Sequence, residues 1–246
     1  MRRSILGGGT AVLAAATAAV VAAATVAGAD ANAETQIVSA AVGPSTLVVG
    51  TTGAKTLRAT VTATDDAGVL WADVDLRSAR GGDFNYVDNM AGSTAPGEST
   101  WTGTTSFTKW YTPGKWYADV YVFSNGGGST KVTRTFYVKR ATRFDGFNAS
   151  EPVRAGTRVT VTGRLLRVDA AADLVGFPRA PVQVQFLPSG ARTWRTRATV
   201  STDARGRFSV RLPMGGPGAW RAGFATTDAY AGSKTRTDAV AYVRRP

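Results

Sequence analysis

The chain is predicted to fold as two all-β sandwiches in tandem behind a removable leader. Three observations predict it. Short runs of alternating apolar and polar residues recur at about 8–12-residue intervals, broken by Gly, Pro, Asp and Asn, the rhythm of sandwich or barrel strands. Beyond residue 33 no 11-residue stretch carries a sustained i, i+3, i+4 apolar pattern. Residues 34–246 also divide into two successive units, 34–139 and 140–246, each with about seven such runs and each long enough to bury a core of its own.

The leader comes first. Met1-Arg2-Arg3 is a positively charged opening, Ile5 to Ala29 is uncharged and rich in Ala, Val and Gly, and Ala31-Asn32-Ala33 is a small-x-small cleavage site. That order is signal-peptide grammar. It predicts cleavage before Glu34 and an extracellular destination. A retained span is the rival reading, but the run is mostly Ala and Gly and is followed by Asp30 and Glu34 rather than by Lys or Arg. Arg2-Arg3 is compatible with either general or twin-arginine export. With no Cys for a lipid anchor and a C-terminus of Val243-Arg244-Arg245-Pro246, the exported chain reads as secreted, released or loosely held at the cell wall.

In the first unit, Lys55–Thr64 alternates Leu57, Ala59, Val61 and Ala63 against Thr and Arg, and Asp65-Asp66-Ala67-Gly68 is a turn. Val69–Arg77 follows, with Leu70, Ala72, Val74 and Leu76 expected inward. Ser99–Phe107 is a Thr- and Ser-rich strand. Trp116–Phe123 places Trp116, Ala118, Val120 and Val122 on one face, Asn125-Gly126-Gly127-Gly128 is a hairpin loop, and Lys131–Lys139 closes the unit.

In the second unit the expected strands are Arg158–Leu166, Pro181–Leu187, Trp194–Val200, Arg207–Leu212, Trp220–Ala225 and Ala239–Arg244. Val159, Val161, Val182, Val184 and Phe186 are expected inward, and Thr202–Gly206 is a tight turn with a left-handed glycine. Two units of some seven strands suggest two immunoglobulin-like sandwiches.

A resemblance supports the second. Phe144-Asp145-Gly146-Phe147-Asn148-Ala149-Ser150-Glu151-Pro152-Val153-Arg154-Ala155-Gly156 resembles the opening of an immunoglobulin-like domain common in secreted actinobacterial proteins, and Val200–Asp203, Gly206–Phe208 and Trp220–Ser233 resemble its later strands. The resemblance implies that fold over residues 140–246 and a secreted protein. Some members carry a calcium-binding label, for which residues 140–246 hold no matching motif.

Charge separates the units. Removing residues 1–33 leaves 27 basic and 16 acidic residues. Residues 34–139 balance at 9 of each, whereas 140–246 hold 18 basic and 7 acidic, and all but Lys234 of those 18 are Arg. Strand alternation turns Arg158, Arg164, Arg195, Arg197, Arg207, Arg211 and Arg221 outward. Arg forks suit phosphate and carboxylate, so the expected partner is an anionic wall polymer or polysaccharide held through weak, salt-sensitive contacts. No base-reading element accompanies them, which argues against sequence-specific nucleic-acid binding. No membrane partner is expected after cleavage.

Catalysis finds little footing. The chain has no His and no Cys, so Ser-His-Asp and Cys-His nucleophile systems and the usual zinc ligand sets cannot be built. No P-loop or dinucleotide fingerprint occurs, and of the three Glu after residue 33, Glu34 falls at the new terminus while Glu98 and Glu151 are expected in loops of different units, which does not suggest a glycosidase pair. The chain is read as non-catalytic, with no cofactor. Two alternatives remain in residues 65–121. Asp65, Asp66, Asp73 and Asp75 are candidate calcium ligands, although strand geometry sets Asp66 and Asp75 far apart. Trp101, Trp110, Tyr111, Trp116, Tyr117 and Tyr121 could form a sugar platform, with Trp110-Tyr111 the best exposed and Trp116 fitting the core.

Overall fold

A computed structural model describes residues 35–150, 153–154 and 158–243. The leader, and Glu151-Pro152 and Ala155-Gly156 of the resembling segment, lie outside the described residues. The first sandwich comprises β1 (Gln36–Gly43), β2 (Thr46–Val49), β3 (Lys55–Asp65), β4 (Val69–Ser78), β5 (Phe84–Val87), β6 (Gly97–Phe107), β7 (Gly114–Ser124) and β8 (Ser129–Arg140). Ala141 alone separates β8 from the second sandwich: β9 (Thr142–Ala149), β10 (Val153–Arg154), β11 (Arg158–Val168), β12 (Leu174–Gly176), β13 (Pro181–Pro188), β14 (Arg195–Ser201), β15 (Arg207–Pro213), β16 (Gly218–Phe224), β17 (Ser233–Lys234), β18 (Asp238–Val240) and β19 (Tyr242–Val243).

The strand order makes both units immunoglobulin-like. In the first, a β1-β3-β6 sheet faces a β2-β8-β7-β4-β5 sheet. The chain switches sheets between β1 and β2 at Pro44, which has no N–H to give to a ladder, and β2 then runs parallel to β8 with Thr46 opposite Tyr137 and Val49 opposite Arg140. In the second, β11 lies between β9 and β15 and also pairs β12. Across the core from it stands a sheet of β14-β13-β16, with β17 and β18 both on β16.

Alternation builds each core. Leu57, Ala59, Val61 and Ala63 of β3 are buried against Ala72, Val74 and Leu76 of β4 and Trp116, Ala118, Val120 and Val122 of β7. Trp116 is fully buried, edge-on to Phe107 at 5.0 Å, and its indole N–H donates to the Thr112 carbonyl. The second core gathers Val159, Val161, Leu165, Val182, Val184, Phe208 and Trp220. One expected inward residue is not inward. Leu70 is 42% exposed because β4 carries a bulge between Val69 and Trp71, which resets the parity of the strand.

The sandwiches meet through backbone. The Arg140 amide donates to the Ala229 carbonyl, the Ala231 amide to the Arg140 carbonyl, and the Ala141 amide to the Val49 carbonyl. Lys139 Nζ reaches the Thr227 carbonyl, and within the second sandwich Thr142 Oγ1 donates to the Ala231 carbonyl. Within the second sandwich, beside this junction, the Arg167 guanidinium lies 4.7 Å from the Phe177 ring and 5.5 Å from the Tyr230 ring, and donates to the Tyr230 hydroxyl.

Candidate functional site

The arginines of the second unit fall on two opposite sheets. On β11 and β15 the register sets Arg164 opposite Arg207, Thr162 opposite Ser209, Thr160 opposite Arg211 and Arg158 opposite Pro213. The intervening pair Val159 and Leu212 is buried. Arg158, Arg164, Arg207 and Arg211 therefore share one outward face, a ladder along two adjacent strands.

The neighbouring chain shapes its end. Between the pairs Thr162–Asn148 and Arg164–Asp145, β9 carries an extra residue, with Gly146 at φ 60°. This is a bulge begun by a left-handed glycine, the conformation glycine adopts without strain. On the other side, Asp203 Oδ1 accepts the amides of Arg205 and Arg207 at 2.8 Å each, closing the turn before β15. The Arg207 amide foremost, then that of Arg205 and both guanidinium charges, hold the Asp203 carboxyl below the usual range although desolvation opposes this. The Arg205 carbonyl in turn accepts from Arg164 Nε. The result is an open groove of about 740 Å³ lined by Asp145, Thr162, Arg164, Ser201, Asp203 and Arg207 among others. Gly163 floors it. A Cβ there would lie 2.7 Å from the buried Phe208 ring.

The remaining three arginines stand on the β14-β13-β16 sheet. Arg221 Nε donates to Gln185 Oε1, and its guanidinium stacks 4.1 Å over Trp194. Arg195 sits opposite Phe186, and Arg197 occupies a bulge of β14. The seven thus do not form one surface.

Two ion pairs occur among the described residues, and both are in the first unit: Asp119 Oδ2 with Arg77 Nε at 3.1 Å and with Lys131 Nζ at 3.2 Å. Burial alone would raise the Asp119 carboxyl, but hydrogen bonds from Thr133, Arg77 and Lys131 bring it below the usual range. Arg77 is therefore engaged by Asp119, not by Asp73 or Asp75.

The proposed calcium ligands do not converge. Asp65 is buried at the end of β3, accepting from Thr35 Oγ1 and the Ala67 amide as turn chemistry requires. Asp66 is exposed in the turn. Asp73 and Asp75 point out from β4 of the opposite sheet, and no group of three or more possible metal ligands gathers among the described residues. Desolvation, then the charges of Asp88 and Asp75, hold the Asp73 carboxyl above its usual range.

The aromatic candidates also divide. Trp101 and Trp116 are core residues, Tyr111 packs 4.7 Å from Phe107, and Trp110 is 64% exposed under Lys109. Tyr117 and Tyr121 point outward from β7, and sequence alone does not reveal the residues beside them. Trp71 on β4 stands opposite Phe123 with their rings 4.7 Å apart, and Phe84 and Tyr86 of β5 stand opposite Arg77 and Asp75. This outer sheet face is broadly aromatic. The signal that could have found it is the odd-numbered parity of residues 117–123, whose even partners form the core.

No family model matches the chain, and no curated protein matches it. Solved structures similar to it include a DUF4785 family protein from Legionella pneumophila, at 14% identity and a TM-score of 0.38, covering 74% of this chain and 51% of that one. Titin domains I67–I69 give 12% identity and a TM-score of 0.35 over 87% of this chain and 67% of that one. The D0-D1 domain of Intimin gives 15% and 0.29 over 83% and 98%. The chain spans about half the length of the Legionella structure. The immunoglobulin-like assignment rests on strand order and register.

Proposed function

We propose that the protein is a non-catalytic secreted binder of anionic polymers, held to the cell envelope or to extracellular polyanions through the Arg158, Arg164, Arg207 and Arg211 ladder. One observation carries this reading. Arg164 and Arg207 stand directly opposite each other across two strands, an arrangement that costs stability, with no carboxylate in ion-pair range among the described residues. A phosphate, sulfate or carboxylate group of a polymer seated between the two guanidinium groups relieves that repulsion through charge-assisted hydrogen bonds. Arg211 and Arg158 extend the binding surface along the strands, so a chain of regularly spaced anions is held at several weak points at once. Arg195, Arg197 and Arg221 lie on the opposite sheet, and Arg221 is already engaged by Gln185 and Trp194.

The test is retention on purified cell wall and on an immobilised sulfated polymer over a salt gradient. Removing an arginine that neutralises an anion of the polymer flattens the dependence of affinity on salt. Substituting Ser at Arg158, Arg164, Arg207 and Arg211 is expected to abolish retention near physiological salt. The same change at Arg195, Arg197 and Arg221 leaves most of it. Equal losses in the two variants, or wild-type retention that ignores salt, refutes the reading.

A further inference from the structure

The outer face of the first unit poses the opposite problem. Asp73 and Asp75 project from β4, with Asp119 across from Asp75 and Asp88 one residue beyond the paired stretch of β5. Asp119 has its own cations. Asp73, Asp75 and Asp88 have no ion pair among the described residues, and Asp73 bears the charge of both neighbours. Three rings frame these carboxylates: Trp71, 43% exposed, Tyr86, 50% exposed, and Tyr121, cross-strand partner of Asp73.

Sugar stacking fits this face poorly. Lys131 already lies 5.0 Å over Tyr121, and Arg77 and Lys115 lie 4.4 and 5.1 Å over Tyr117. Cations thus cover the ring faces a pyranose would need. The free elements are three carboxylates without an ion pair among the described residues and the exposed sides of the Trp71 and Tyr86 rings. Guanidinium groups satisfy both, by pairing with carboxylate and by stacking on aromatic faces. Among the described residues the chain itself stacks guanidinium on rings: Arg77 on Tyr117, Arg221 on Trp194, and Arg167 on Phe177 with Tyr230.

We infer that this aromatic and acidic face docks the arginine ladder of a second copy of the chain. Charge complementarity selects the occupant. Asp73 and Asp75 stand two residues apart, about 7 Å, and Arg164 and Arg207 about 5 Å apart across their strands, distances that long arginine side chains bridge. Two like-charged pairs, neither held by an ion pair among the described residues, neutralise each other between two. The contact joins different surfaces of the two copies, so it is heterologous and propagates head to tail unless the rotation closes a ring. It rests on the ladder assigned above to polymers, and the two roles compete for it.

The experiment uses the chain from Glu34, which contains both hydrophobic cores, in sedimentation and light scattering across concentration and salt. Wild type is expected to grow in mass with concentration at low salt and to be monomeric at about 1 M salt, where the screening length falls to about 3 Å. Asp73→Lys with Asp75→Lys removes one face, and Arg164→Gln with Arg207→Gln removes the other. Each double variant alone is expected to be monomeric, and an equimolar mixture to form dimers capped at both ends, since each supplies the face the other lacks. Trp71→Ala, which changes no charge, is expected to weaken wild-type association. Circular dichroism confirms folding, and Asp73→Asn with Asp75→Asn replaces any lysine variant that fails to fold. The Asp variants keep the ladder and retain salt-sensitive polymer binding, which separates this inference from the reading it borrows the ladder from. A wild type that stays monomeric, variants that associate alone, or a mixture that does not complement overturns it. So does loss of binding to a neutral polysaccharide in Trp71→Ala with no self-association in wild type.

Discussion

Replacing Asp73 by Asn is expected to stabilise the free protein. Asp75 lies about 7 Å along the strand and Asp88 about 5 Å across it. At the dielectric of water these separations give about 0.6 and 0.8 kcal/mol of repulsion, and screening at physiological ionic strength reduces the sum to about 0.7 kcal/mol. For a unit of this size that is a rise of about 3–5 °C in Tm. The pH dependence fixes the sign. Burial and the neighbouring charges hold the folded Asp73 carboxyl above its ordinary value, so wild type gains relative stability as pH falls through that folded value. The advantage of Asn is therefore largest at neutral pH and vanishes below about pH 3.9, where wild type is protonated whether folded or not. Scanning calorimetry at pH 7 and pH 3 reads both. Equal melting temperatures at pH 7, or a gap that persists at pH 3, would show that the carboxylates do not repel one another as described.

Asp119→Ala has the opposite sign. It removes a buried acceptor of Thr133, Arg77 and Lys131; with both cations 45% exposed the cost is about 2–3 kcal/mol, measurable by urea unfolding. Because the folded Asp119 carboxyl sits below its ordinary value, its contribution is complete above the unfolded value and disappears as pH falls through the folded one. Gly163→Ala forces the Phe208 ring aside and is expected to cost about 1–3 kcal/mol, and to lower the salt needed to elute the protein from a polyanion by disturbing Arg164 and Arg207. Tyr230→Ala removes the ring over Arg167 and Phe177 and is expected to destabilise the second sandwich by about 1–3 kcal/mol, read by urea unfolding.

Where period-2 alternation runs uninterrupted the fold is legible. The runs beginning at Lys55, Pro181 and Arg207 are β3, β13 and β15. β1, β2, β5 and β9 are not, because their registers depend on partners elsewhere: Gln36–Gly43 carries a bulge against β3, and Thr46–Val49 exists as a strand through β8. The same physics limits the sites. Alternation turns each arginine outward, but only the pairing of β11 with β15 shows that Arg164 meets Arg207 while Arg221 faces the other way. Alternation turns Trp71 outward with Asp73 but misplaces Leu70, because the bulge puts Val69 inward and leaves Leu70 in solvent.

The passage of β8 into β9 with one residue between them has a mechanical side. β2 runs parallel to β8 over Thr46–Val49, and β10 runs parallel to β19. Tension that draws the start of the first sandwich away from Arg140 slides β2 along β8, loading the hydrogen bonds of that patch together rather than one after another. Ala141 leaves no slack to absorb extension, and the hydrogen bonds of the Arg140 amide to Ala229 and of the Ala231 amide to Arg140 pass the load directly into the second sandwich. A molecule gripping a wall polymer with one unit and a neighbour with the other would behave under pull as a stiff tether that yields abruptly.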